Sequence, residues 1–326
     1  MGMARYCLLA LLAISLISCS STKNKIKDML KSPISERQST LKKSKSFAIK
    51  WVKNIDPVYA SGNLPLALHS PLIHKGILFA GTGKGQMRAY EISNGRIIWE
   101  TQDNGQYHQR PVIFGDQVIY GTIEGRIYSR HYLTGKLNFE IDLDSSIESS
   151  GVLASGRLFF QLRNHKVFAL DAKTGKILWA YRRSVPYLTT IQRVSPPLVV
   201  KNKLYVGFAD GAVAAFNIED GNLLWEQKLS TALKFLDVDS RPVLFKDSLL
   251  VGSLAGSLTL LDRKTGAIRK SFPYSISRSP IVTEDRIYLS TTSGEIVVLN
   301  HEFKELNKKS ISDRPLGDFL FSSLNS

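Results

Sequence analysis

Short apolar, strand-forming stretches recur along the chain, and each closes on a glycine. Leu204-Tyr205-Val206-Gly207 and Leu249-Leu250-Val251-Gly252 are typical. Such a run predicts a strand whose alternate side chains pack to either side, and the glycine ends it where the backbone must turn. Ala209-Asp210-Gly211 and Leu254-Ala255-Gly256 follow as tight turns, and then a third strand such as Val213-Ala214-Ala215-Phe216. A second turn, Glu219-Asp220-Gly221 or Lys173-Thr174-Gly175, leads into a fourth strand that carries a tryptophan. Helical periodicity is missing from this body of the chain, so the class is all-β.

The unit repeats with fixed internal spacing. Pro71, Gly81, Gly85, Gly95 and Trp99 are 10, 4, 10 and 4 residues apart. The same offsets recur at Pro111 to Phe139, Pro197 to Trp225 and Pro242 to Lys270. Weaker copies run from Gly151 through Gln161, His165 and Gly175 to Trp179, and from Pro280 through Ser290, Gly294 and Lys304 to Lys308. A period near 40 residues (roughly one four-stranded sheet per repeat) predicts a β-propeller. Trp51 reads as a lone outer strand, and Arg314 to Phe321 as the start of another blade. Pairing the two ends would remove free edges. The expectation is six complete repeats plus a composite seventh closing blade, with six blades as the alternative. All four tryptophans, Trp51, Trp99, Trp179 and Trp225, fall in the outer-strand slot. There a ring can lie across the neighbouring blade and bury a large area.

The first residues lack this pattern. Arg5 precedes twelve largely apolar residues, Cys7 to Ser18. That run is too short to span a bilayer and suits a signal peptide over 1–18. It ends in Leu16-Ile17-Ser18-Cys19, which resembles a bacterial lipobox. The resemblance implies cleavage before Cys19 and lipidation of it. Cys7 and Cys19 are the only cysteines, so no internal disulfide is expected in the mature chain. Ser20 is not the aspartate of inner-membrane retention, which favours the outer membrane, on its periplasmic face.

Residues 19–46 read as a lipidated, flexible basic tether and 47–326 as the propeller domain. Residues 23–53 hold ten Lys or Arg against Asp28 and Glu36, and so carry +8 of the formal net +15. A polybasic stretch beside a lipid anchor suits anionic headgroups or a solvated linker. No nucleic-acid partner is expected outside the cell's interior.

Between repeats the spacing changes. The gap from the outer-strand slot to the next proline-type position is 12 after Trp99 and after Phe139, 18 after Trp179, 17 after Trp225 and 10 after Lys270. Two neighbouring connections are therefore long, and insertions in a propeller gather on one face, often the binding face. The first holds Ile191 and Arg193, the second Leu236, Asp237 and Asp239. Carboxylates two residues apart on an extended segment point the same way and suit one arginine fork. These five residues are the expected partner-binding set.

Two resemblances follow. Ala169-Leu170-Asp171-Ala172-Lys173-Thr174-Gly175-Lys176-Ile177-Leu178-Trp179 is similar to the tryptophan-docking motif of quinoprotein repeats, as are Ala89 to Trp99 and Ala215 to Trp225. The motif implies the blade and not a bound quinone. Arg193 before Ser195-Pro196, and Asp237-Val238-Asp239-Ser240 before Pro242, resemble the B lipoproteins of the outer-membrane β-barrel assembly machinery. That resemblance implies a scaffold that binds the barrel-inserting core subunit or another envelope protein. Propellers of that family usually have eight blades, more than the repeats here. The other readings are a periplasmic ligand-binding or sensor propeller with an aromatic-lined funnel, and a quinoprotein dehydrogenase. Asp237-Val238-Asp239-Ser240-Arg241 lacks the further oxygens and the glycine of a calcium loop. The six histidines are scattered and no vicinal cysteine pair exists. No cofactor, metal or enzymatic activity is expected.

Overall fold

The computed structural model describes residues 49–53, 70–107, 109–185, 194–229, 237–254, 256–276 and 278–315. Cys19, the tether, Ile191, Arg193, Leu236 and the C-terminal part of the composite seventh blade lie outside the described residues. The chain divides into two compact units, Met1–Asn54 with Ser93–Gly95, and the remainder. In the first, the Trp51 ring covers Gly95 so closely that a Cβ there would sit 2.8 Å from it. No strand is formed by residues 49–53.

The second unit holds six four-stranded antiparallel sheets among its described residues, each built from consecutive strands. The first sheet is Leu72–His74, Ile77–Gly81, Gln86–Glu91 and Ile97–Gln102, and the sixth ends with Glu305–Ser310. First strands approach one another between the second and third, third and fourth, and fifth and sixth sheets, which puts them innermost. Second and third strands are the most buried: Phe79, Ala89, Phe159, Ala169 and Val206 are fully shielded. Each hydrophobic cluster spans two neighbouring sheets, from the first and second through to the fifth and sixth. No sheet could bury both faces alone, so stacking supplies the core.

A β-bulge recurs at one place in all six sheets, as between Ala89 and Tyr90 or Ala169 and Leu170, beside the residue opposite the tryptophan slot. It adds twist to the outer strand and turns the ring toward the next sheet. Trp99 Nε1 donates to Tyr132 O at 2.9 Å, Trp179 Nε1 to Ile218 O at 3.0 Å and Trp225 Nε1 to Arg263 O at 3.3 Å. Each ring lies on the turn glycine of the following sheet, Gly135, Gly221 and Gly266, where φ is positive and a Cβ would collide. Phe139 covers Gly175 in the same way.

The sixth repeat departs from the spacing read in the sequence. Its last hairpin is one residue shorter: Asn300 N donates to Lys304 O, and Phe303 takes the left-handed turn position with φ 65°. Asn307, not Lys308, therefore sits opposite the bulge.

Candidate functional site

The connections from a fourth strand to the next first strand share one end of the sheets with the turns between second and third strands. The two long connections enter the fourth sheet at Leu198–Val200 and the fifth at Val243–Phe245. Their middles, 186–193 and 230–236, lie outside the described residues. Their roots meet: buried Ser195 donates through Oγ to Ser240 O at 3.0 Å, and Ser240 Oγ donates to Gly252 O at 3.1 Å.

A recurring plug explains this segment. The residue four before each proline-type position packs on the glycine ending a second strand: Tyr107 on Gly81, Ile147 on Gly121, Val238 on Gly207 and Ile276 on Gly252. Val238 N also donates to Phe208 O at 3.1 Å. In the sequence Arg193 stands four residues before Pro197, and the preceding repeat has Gln161 where the others have the glycine. Asp237 and Asp239 flank the Val238 plug at 0% and 8% exposure, each engaged in contacts of its own. Strand-like alternation would leave one side of such a segment open, but here both sides are covered. Neither carboxylate presents itself at the surface.

Two charged clusters share another repeat position, four residues after the tryptophan slot. Asp103 accepts from Tyr107 Oη at 2.6 Å and Tyr120 Oη at 2.9 Å and pairs with Arg130, joining the first and second sheets. Burial, then the Asp103 charge, pushes the Tyr120 hydroxyl far above its ordinary range. Arg183 pairs with Asp210 at 2.6 Å and Glu226 at 2.7 Å and lies 5.0 Å from the Phe208 ring centre, joining the third and fourth sheets. Burial alone would lower its guanidinium pKa, but the bonds to Glu226 and Asp210 outweigh that and raise it. Sequence reading missed both clusters because only their shared offset marks them.

Among the described residues two cavities bear on function. One, about 520 Å³, is axial and takes the residue just before the first strand's proline-type position from five sheets: Arg110, Ser150, Pro196, Arg241 and Ser279. Its described lining has no aromatic ring, so the aromatic-funnel form of a ligand-binding propeller finds no support there. The other, about 410 Å³, sits at the root of the first long connection and is lined by Asp144, Asn164, His165, Lys166 and Arg182 to Val185. Among the described residues no group of three or more His, Cys, Asp or Glu could hold a metal ion.

A family model described as "Outer membrane protein assembly factor BamB" matches residues 51–129 and 105–308. The BamB of Yersinia pestis is 24% identical over 242 residues, 69% of this chain and 61% of that protein. The BamB of Escherichia coli K12 is 23% identical over 316 residues, 92% of this chain and 79% of that protein. The chain spans about three fifths of the length of the first two curated relatives it matches. Among solved structures, BamB from Moraxella catarrhalis superposes with a TM-score of 0.67 at 21% identity, covering 76% of each chain. A europium-containing methanol dehydrogenase superposes with 0.56 at 10% identity, covering 76% of this chain and 79% of that one. At such identities the two structures speak to the fold alone.

Proposed function

The chain belongs to the family of the outer membrane protein assembly factor BamB, and from that membership we propose that it is a lipid-anchored scaffold for assembling outer-membrane β-barrel proteins. Cys19 carries the lipid at the periplasmic face of the outer membrane, 19–46 is the tether, and the propeller binds the barrel-assembly core subunit. The carrying observation is the family match through 51–308, over the six stacked sheets. The family's members are assembly factors by description, which supports a binding role over catalysis. The likeness to a methanol dehydrogenase carries no chemistry, because fold does not fix function.

In this reading the long connections form the partner surface. Ile191, Arg193 and Leu236 make the contacts, while buried Asp237 and Asp239 hold the second connection in shape. Arg193→Glu is expected to weaken capture of the core subunit by about 2–5 kcal/mol, as loss of a desolvated charged anchor does, with the melting temperature unchanged. Asp237→Ala with Asp239→Ala is expected to lower melting temperature and capture together, since removing buried charged groups strands their partners. Capture and thermal melts on the same variants separate the two. Full capture by Arg193→Glu places the partner surface elsewhere.

A further inference from the structure

We propose that the pocket at the root of the first long connection binds a compact oxyanion, a carboxylate or phosphate group, held by Lys166, Arg182 and His165. Three independent features lead there.

The first is a like-charge pair. Lys166 and Arg182 are direct partners in the ladder between the third and fourth strands of the third sheet, and both line the cavity. The same ladder position holds Gln86 with Gln102, Arg126 with Asp142, and Ala212 with Lys228 in other sheets. Arg126 and Asp142 attract at 3.7 Å, whereas like charges directly opposite destabilise a sheet. Neither Lys166 nor Arg182 has an ion pair among the described residues. An anion between them would turn the repulsion into attraction.

The second is His165. It stands in the turn position filled by Gly85, Gly125, Gly211, Gly256 and Gly294 in the other repeats, all with positive φ. His165 is held at φ 60°, a conformation that costs a side-chain-bearing residue energy. It is also 4% exposed, and neither ring nitrogen has a partner among the described residues. A buried, unbonded imidazole in a glycine slot costs stability twice, and a ligand at those nitrogens would supply the missing hydrogen bonds.

The third is the cavity itself, about 410 Å³, within the range of small-molecule sites. Its charged lining is Lys166, Arg182 and Arg183 against Asp144. Arg183 is already engaged by Asp210 and Glu226, so Lys166 and Arg182 are the cations left for a ligand, and Asp144 would favour a partly protonated or singly charged anion.

Protonation follows from the surroundings. Burial holds the His165 pKa below its ordinary value of 6.5, with Asp210 pulling up and Arg183 pushing down. Asp144, Lys166 and Arg182 share the cavity with it. In the free protein the neutral ring dominates near pH 7. The unfolded chain takes up the proton first as pH falls below 6.5, so the folded state loses stability there. A bound anion reverses this by favouring the protonated ring, so affinity should rise as pH falls.

The proposal does not rest on the partner-binding reading and survives its failure. The test is isothermal calorimetry on the intact protein with inorganic phosphate and with succinate, at constant ionic strength set by chloride. One saturable site is expected, tighter at about pH 5.5 than at about pH 7.5. Tighter binding of phosphate assigns a phosphate-bearing ligand, and tighter binding of succinate a carboxylate-bearing one. Arg182→Gln should weaken binding about tenfold without lowering the melting temperature. His165→Gly should weaken it similarly while raising the melting temperature of the free protein, since glycine suits the turn. Absence of saturable heat with both anions overturns the site. So does binding that neither variant changes, which marks an adventitious ion only.

Discussion

Trp179→Ala is expected to lower the melting temperature by about 6–12 °C, the equivalent of about 3 kcal/mol in a domain of this size. The ring is wedged between sheets. Its centre is 5.9 Å from that of Phe159 in its own sheet and 6.4 Å from that of Phe216 in the next. It donates to Ile218 O and covers Gly221. Truncation leaves a cavity at the joint and strips a partly buried carbonyl of its donor. Trp179 is only partly buried, which keeps the loss at the lower end for a tryptophan. Circular dichroism melts of Trp179→Ala beside Trp179→Phe would read the effect, with phenylalanine retaining most of the stability because Phe139 fills the same slot over Gly175. A shift under about 2 °C for the alanine variant would mean the ring is no joint between blades.

The second large effect concerns location. If Cys19 carries the only anchor, Cys19→Ala should move the protein almost wholly from the membrane fraction to the soluble fraction. Acyl chains contribute about 0.8 kcal/mol for each buried methylene, far more than the basic tether draws from anionic headgroups at physiological salt. Fractionation of envelopes at low and high salt checks it. Salt-resistant retention of the variant contradicts a single lipid anchor, and salt-sensitive retention assigns the residual hold to the lysines of residues 23–53.

Much of the fold was legible because glycine and tryptophan mark the repeat. Both are dictated by backbone geometry: the turn needs positive φ, and the ring needs the bare face of a glycine to lie on. Where the marks are absent the reading slipped. The sixth repeat has Phe303 in the glycine conformation, so the sequence alignment there ran one residue late. In the sequence His165 reads as a weak copy of the pattern, although a side chain in that turn is the more informative observation. The candidate site was less legible. Alternation along Asp237-Val238-Asp239 suggested two carboxylates on one open side, yet the Val238 plug draws the segment inward and burial follows for all three. Asp103 and Arg183 belong to different chemistries in one repeat position, so no motif search links them. Only the stacked sheets show that each staples its neighbour.

In the proposed function this propeller serves the assembly of outer-membrane β-barrels by binding the assembly core. Affinity capture of the intact protein from detergent-solubilised envelopes of its own cells tests that most directly, with the captured material identified by mass spectrometry. The barrel-inserting core subunit is expected to copurify with the intact protein and to be depleted when Arg193→Glu is the bait. Recovery of the propeller alone, or of the core subunit equally with both baits and with a bait lacking the propeller, would contradict it.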